Sequence, residues 1–218
     1  MQPVVPFEPT LAERIPQGPE WVYQVKWDGV RILTYYDHTE VRLFNRKLHE
    51  RTLQFPELLT IERYCHASSV ILDGELIAFD QGKPSFFEIM KRDSTRKASS
   101  IETARKTTPV TYMLFDLLYY NGRWVTDQPL SARQRILSQI ITPQPDVQPV
   151  ENFVDGHHLF AAIKAQNMEG IVCKNLTSTY GIDTKDNRWQ KVKNYQDVIA
   201  VIGGFTLRGA TVNAVLLG

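Results

Sequence analysis

What most limits the fold of this chain is that β-rich runs outnumber helical ones and do not alternate with them. Residues 21–26 and 30–36 are two such runs, separated only by the turn signal Trp27-Asp28-Gly29. A short run at 41–44 follows. Residues 70–79 alternate and stop at Asp80-Gln81-Gly82, and the strongly apolar run 110–120 closes at Asn121-Gly122. Residues 169–174 and 188–193 read as further strands. Helical spacing is confined to 55–64, which opens on Pro56 and carries Leu58, Leu59 and Ile61, and to 85–92 behind a Ser85 cap. It returns at 131–141 and at 155–166, the latter behind an Asp155 cap. Residues 1–20, rich in Pro and Glu, read as an irregular lead-in. Residues 93–109, rich in Ser, Thr, Lys and Arg, read as a mobile surface loop or as a loop touching a phosphate backbone. The fold class expected is α+β with mainly antiparallel sheets.

Residues 198–205 and 211–217 read as two strands of a new sheet, and about twenty residues cannot bury a core. The expected division is one domain over 1–195 and the incomplete start of another over 196–218. Of the 218 residues, 43% are hydrophobic and 22% charged, ordinary for a soluble globular chain. No apolar run reaches the roughly 18–20 residues that span a bilayer, and the first residues carry neither a basic start nor an apolar signal core. The expectation is therefore a cytoplasmic protein with no membrane partner. Cys65 and Cys173 lack any metal or disulfide spacing and read as buried small hydrophobes. A net charge of +1 neither demands nor excludes nucleic acid. A DNA-gripping chain of this charge has to gather its basic residues on one face or rely on another domain.

Four short segments carry possible chemistry. Lys26-Trp27-Asp28-Gly29-Val30-Arg31 places a lysine at a strand end, with Gly29 allowing close backbone approach to a ligand. By itself it is equally a hairpin turn with a solvated lysine and an Asp–Arg pair. Asp73-Gly74-Glu75 sets two carboxylates inside an apolar run, where they need partners or a bulge. Glu169-Gly170-Ile171-Val172-Cys173-Lys174 puts an acid at the mouth of a strand and a lysine at its end. In Trp189-Gln190-Lys191-Val192-Lys193 the two lysines share a strand face, either a solvated edge or an anion site. The five histidines, His38, His49, His66, His157 and His158, have no metal-like spacing, and Trp21, Trp27 and Trp124 read as packing residues.

Taken in order, over about residues 21–206, these segments resemble the covalent nucleotidyltransferase superfamily of DNA ligases, RNA ligases and mRNA capping enzymes. Lys26 to Arg31 is similar to its nucleophile motif. The run beginning Phe115-Asp116 is similar to the ligase strand whose aromatic stacks on adenine. Arg31, and Asn45-Arg46 with Thr52 and Phe55-Pro56-Glu57-Leu58 downstream, resemble the ATP-dependent DNA ligases. Only 25 residues precede Lys26, whereas NAD-dependent ligases carry an extra domain there.

The resemblance implies a nucleotidyltransferase (ATP-grasp-like) domain of mainly antiparallel sheets flanked by helices, followed by an oligonucleotide-binding (OB) fold. It implies that Lys26 attacks the α-phosphate of ATP and becomes a lysyl-AMP phosphoramidate. AMP then passes to the 5′-phosphate of nicked double-stranded DNA, and the 3′-hydroxyl displaces it. By the same resemblance Lys191 and Lys193 stabilise the transferring phosphorus, and Glu169 with Glu75 holds Mg²⁺ (or Mn²⁺). Arg31 and Glu75 hold the ribose, Phe115 stacks on the base, Lys174 belongs to the nucleotide site and Arg46 binds the nick phosphate. The alternative for Phe115 is plain core packing, and Asp116, a metal-side residue or a structural one, is left without a role. Gln24 stands where these ligases often have Glu near the adenine amino group, and its amide oxygen can still accept. Asn45 stands where they have Ser. A free lysine titrates near 10.4, so crowding Lys26 with Lys191, Lys193 and the metal is expected to release its proton. A shift of two units needs about 2.7 kcal/mol of repulsion. The expected protein is a monomer serving DNA repair, recombination or replication. Its self-adenylation and sealing are expected to be weak if the OB fold is incomplete. An RNA ligase, a capping-type transferase, or a binding module without catalysis are the alternatives.

Overall fold

The computed structural model of the chain describes residues 1–195, 197 and 199–218. Its strands are β1 (Glu8–Leu11), β2 (Trp21–Val25), β3 (Val30–Tyr36), β4 (Val41–Asn45), β5 (Val70–Asp80), β6 (Lys83–Pro84), β7 (Val110–Tyr120), β8 (Arg123–Trp124), β9 (Val147–Pro149), β10 (Gly170–Asn175), β11 (Lys185–Lys193), β12 (Ile202–Arg208) and β13 (Thr211–Leu217). The helices are α1 (Phe86–Ser94), α2 (Ala98–Thr107), α3 (Leu130–Ile140) and α4 (Gly156–Ala165). A large sheet runs β4-β3-β5-β7-β8, with β6 beside β5 and β9 beside β7. A second runs β1-β11-β10-β2, and β12 with β13 makes a third. Among the described strands only β1–β11 and β7–β9 pair in parallel, so the α+β class with mainly antiparallel sheets holds.

The large sheet is covered on both faces. Along β3, Ile32 enters one core cluster and Leu33 another, and Leu117 and Leu118 of β7 divide the same way. Side chains alternate across a strand, so a strand with two buried faces becomes almost continuously apolar. The cluster between the two sheets, with Phe7, Tyr35, Tyr180 and Trp189, lies under the nucleotide-site candidates. A third cluster seats α4 on the second sheet through Leu159, Ile163 and Ile171. The chain turns back at both Asp80-Gln81-Gly82 and Asn121-Gly122, pairing β5 with β6 and β7 with β8. Gln81 and Gly82 (φ 47° and 79°) and Asn121 and Gly122 (φ 43° and 87°) take the left-handed pair that a two-residue turn requires. Ser85 and Asp155 cap α1 and α4 by accepting from Glu88 N and His158 N. Cys65 and Cys173 are buried and free.

Three expectations are corrected. Residues 1–20 are not wholly irregular, because β1 joins the edge of the second sheet against β11, a pairing with no local signature. Residues 55–64 form two 3₁₀ turns, Pro56–Leu58 and Ile61–Arg63, rather than a helix. Their buried side chains, Phe55, Leu58, Ile61 and Tyr64, recur every third residue, the 3₁₀ period rather than 3.6. Residues 93–109 contain α2, which buries only Ile101 and so left almost no hydrophobic pattern to read. The expected start of a strand at Val198 and the domain junction at residue 196 lie outside the described residues. Among the described residues, no helix is long and apolar enough to cross a membrane.

Candidate active site

Backbone contacts too close for side chains set Lys26 in place. Its N–H donates to the Gly170 carbonyl at 2.9 Å, fixing the end of β2 against β10. A Cβ at Gly29 would lie 2.1 Å from the Leu76 carbonyl oxygen, and one at Gly170 (φ +150°) would lie 2.2 Å from that of Val192. Both positions require glycine. Register then assembles the rest. Gln24 pairs with Val172, which pairs with Lys191, so these three form a row across β2, β10 and β11. Gly170 pairs with Lys193, and Arg31 of β3 pairs with Glu75 of β5.

These elements enclose a cavity of about 580 Å³. Gln24, Lys26, Arg31, Arg46, Glu75, Phe115, Lys174 and Lys191 all line it. Glu169 and Asp28 line a neighbouring cavity of about 730 Å³, and Lys26 lines both cavities. Lys193 reaches the site through Glu169, its Nζ 3.3 Å from Oε1.

The electrostatics add a carboxylate to the cations expected around Lys26. Its Nζ lies 2.6 Å from Glu169 Oε2, and that carboxylate also receives Lys193. Glu169 therefore stands between the two amines. Burial first, then Lys26, Lys185 and Lys193, push the Lys191 amine below its ordinary range. Burial and then Glu169 push Asp28 up. Burial raises Glu75 to about 7 against the opposing pull of Arg31 and Lys26.

Arg31 is largely committed inside the protein. It donates to both oxygens of Asp73 at 2.8 and 2.6 Å and to the Phe7 carbonyl at 2.7 Å. Tyr180, not singled out in the sequence, donates its hydroxyl to Asp73 at 2.8 Å. The Asp73 carboxylate thus finds the partner its apolar run demanded. Asp116 is fully buried and pairs with Arg133, which answers the question of its role: it is structural. Asn45 accepts from the N–H groups of Lys47 and His49, closing a turn that presents Arg46. Arg46 is exposed and lies 3.2 Å from Glu8. Gln24 is buried and donates its amide to Asn152 at 2.8 Å, leaving the carbonyl oxygen as the group able to accept from a ligand.

Lys174 is the least comfortable group in the site. Its amine lies 4.1 Å from the Phe115 ring centre and 3.9 Å from that of Trp189, with no hydrogen-bond partner among the described residues. Burial pushes it down to about 7, with Asp116 and Asp73 pulling the other way. Unfolded, a lysine keeps its proton to about pH 10.5, so between 7 and 10.5 unfolding takes up a proton and stability rises with pH. Glu75 works in the opposite sense. Between its ordinary 4.5 and about 7 the folded carboxyl keeps a proton that the unfolded one loses, so stability falls as pH rises. The ligand-free protein is therefore expected to be least stable near neutrality. Melting temperatures from pH 4 to 10 check this: Lys174→Met should flatten the alkaline arm and Glu75→Gln the acid arm. Unchanged arms would contradict it.

Among the described residues no three or more His, Cys, Asp or Glu side chains cluster as a metal site. What the chain offers is Glu75 at the wall of one cavity and Glu169 with Asp28 at the wall of the other. That suits a small hard cation held mainly by ligand phosphates and water.

A family model described as ATP dependent DNA ligase domain matches residues 7–193. The chain is 30% identical over 188 residues to the SPbeta prophage-derived DNA ligase-like protein LigB of Bacillus subtilis (strain 168), covering 85% of this chain and 66% of that protein. It is 34% identical over 197 residues to a DNA ligase of Methanothrix thermoacetophila, covering 86% of this chain and 34% of the relative. The solved structure of a mycobacterial DNA ligase D complexed with ATP and MES matches with a TM-score of 0.73 at 27% identity, covering 99% of this chain and 67% of that one. The chain thus spans between 34% and 66% of the length of these two curated relatives.

Proposed function

The chain belongs to the ATP-dependent DNA ligase domain family, and from that premise we propose that it loads AMP from ATP onto Lys26 and passes it to the 5′-phosphate of a DNA nick. The observation that carries the reading is the Lys26 amine. It is held at 2.6 Å by Glu169, at the wall of a cavity that also presents an aromatic ring, an acceptor amide and Lys191.

In the first step the Lys26 nitrogen forms a bond to the α-phosphorus while the bond to pyrophosphate breaks. The amine can attack only without its extra proton, and Glu169 is the group positioned to take it. Lys191 and Lys193 meet the charge that gathers on the phosphoryl oxygens. Glu169 and Glu75 are the carboxylates that would hold Mg²⁺ (or Mn²⁺). A cation held there would neutralise phosphate charge. Phe115 offers its face to the base, and Arg31 with Glu75 lies towards the sugar. We read β12–β13, whose Phe205, Val215 and Leu216 are exposed, as the opening strands of an OB fold. The substrate on this reading is nicked double-stranded DNA, acted on by a monomer in the cytoplasm.

The test is intact mass after incubation with ATP and Mg²⁺, followed by peptide mapping. An AMP adduct on the peptide holding Lys26 is expected, and an unmodified chain under all conditions would remove the reading. GTP in place of ATP should give little adduct. Arg46 supplies a second prediction, because it borders the cavity from an exposed turn and, among the described residues, pairs with Glu8. Arg46→Ala should leave self-adenylation within about threefold while lowering transfer to a nicked duplex about tenfold or more, the worth of a charge-assisted phosphate contact. Equal loss in both steps, measured by adduct yield and by sealing in one assay, would place Arg46 in the nucleotide site instead.

A further inference from the structure

We propose that Asn152 and Gln134 set the choice of nucleobase by holding the Gln24 carboxamide with its carbonyl oxygen towards the nucleotide. The inference rests on reading the cavity around Lys26 as a nucleotide site. A glutamate facing the base can only accept. A carboxamide has two ends of nearly the same shape and opposite hydrogen-bonding sense, so its orientation decides what it recognises. With oxygen inward it accepts from the 6-amino group of adenine. Turned over, it donates to the 6-oxo group of hypoxanthine or guanine. Nothing in Gln24 itself selects between these states.

The selection comes from the neighbouring amides. Gln24 is 2% exposed, and its Nε2 donates to Asn152 Oδ1 at 2.8 Å. Asn152 Nδ2 donates to Gln134 Oε1 at 2.9 Å, and Gln134 Nε2 donates back to Asn152 Oδ1 at 3.4 Å. The Asn152 oxygen therefore accepts from both glutamines, while its amino group is engaged by Gln134. Reversing Gln24 alone would set two amide oxygens against each other, and reversing the whole chain requires three side chains to turn together.

Both supports of this relay are fixed to the fold. Phe153 exchanges backbone hydrogen bonds with Tyr23 at 3.0 and 2.9 Å, which places Asn152 beside Gln24 on β2. Gln134 follows Arg133 on α3, and Arg133 is clamped to Asp116 at 2.8 Å. Asn152 is exposed and Gln134 half-buried, so neither is needed to fill the core. They are positioning residues, acting on the base through Gln24.

The measurement compares ATP with ITP, whose purine carries a 6-oxo group in place of the 6-amino group and a proton on N1. Dissociation constants for both are taken by calorimetry in a Lys26→Ala background, so that no transfer occurs, and adduct yields are read by intact mass with Lys26 present. Asn152→Leu leaves Gln24 free to turn and should lower the preference for ATP over ITP about five- to tenfold, the worth of one neutral hydrogen bond. Gln134→Leu should lower it by a smaller factor, since Asn152 loses its own tether. Gln24→Glu combined with Asn152→Leu should restore the native preference, because a carboxylate has no wrong way round. ATP binding with an unchanged ATP-to-ITP ratio in Asn152→Leu overturns this inference alone, as does a relaxed ratio that Gln24→Glu fails to restore. Binding of neither nucleotide by the otherwise native chain overturns the nucleotide reading, and this inference with it.

Discussion

Lys26→Ala is expected to abolish the AMP adduct and to lower nick sealing from free ATP by at least about four orders of magnitude, the loss that follows removal of a covalent nucleophile. No neighbouring amine can take over. Lys193 is tied to the far oxygen of Glu169, and the buried Lys174 amine packs against the Phe115 and Trp189 rings. Lys191 is carried by β11, a different strand from the one that fixes Lys26 against Gly170. Lys26→Arg should be as inactive, since a guanidinium keeps its proton and cannot attack phosphorus. The fold should not notice either change. Glu169 keeps Lys193 as a partner, so neither change leaves a buried charge unpaired. A nick already carrying a 5′-adenylate bypasses the lysine, so Lys26→Ala should still close it. That result would separate loss of the nucleophile from general damage. An AMP adduct at normal yield on the alanine variant, mapped to another lysine, would dismiss Lys26 as the carrier.

Much of this site could be read from short stretches of chain because its geometry is strand geometry. Lys191 and Lys193 fall on one side of β11 because side chains alternate, and the glycines at 29 and 170 mark where backbones meet. Contacts between distant segments could not be read in that way. Glu169 lies between Lys26 and Lys193 because β2, β10 and β11 are neighbours, so the carboxylate expected to hold a metal bridges the two amines in the ligand-free protein. Arg31 likewise turns to Asp73, Phe7 and Tyr180, a partnership joining β3, β5, the lead-in and a loop before β11. Asn152 gave no signal, since a lone Asn in a polar stretch looks like any surface residue until Gln24 is seen beside it. The errors in secondary structure share this origin. β1 is defined by its partner, and α2 by a single buried isoleucine.

The largest effect on stability is expected at Asp116, beneath the site. Asp116 and Arg133 are both fully buried, and Asp116 accepts from Arg133 Nε and NH2 at 2.8 Å each. The same carboxylate accepts from the Leu117 N–H at 2.8 Å, and Arg133 also donates to the Gln128 and Ser178 carbonyls at 2.6 and 3.1 Å. Asp116→Ala leaves a guanidinium out of water without its counter-charge, for which the cost is about 3–5 kcal/mol. Domains have only about 5–15 kcal/mol in total, so the variant should unfold at clearly lower urea and melt about 6–20 °C lower. Truncating Arg133 as well, in Asp116→Leu/Arg133→Met, removes the unpaired charge and should recover most of the loss, since two apolar side chains of similar volume can replace a buried pair. The single variant should also disturb the nucleotide site, because Asp116 helps keep the buried Lys174 amine charged. With that carboxylate gone, the Lys174 amine should lose its proton at still lower pH, and the rise of stability with pH should begin earlier. A single variant as stable as the native chain would mean that water or another acceptor already reaches Arg133, and the pair would then be no foundation for the strand that carries Phe115.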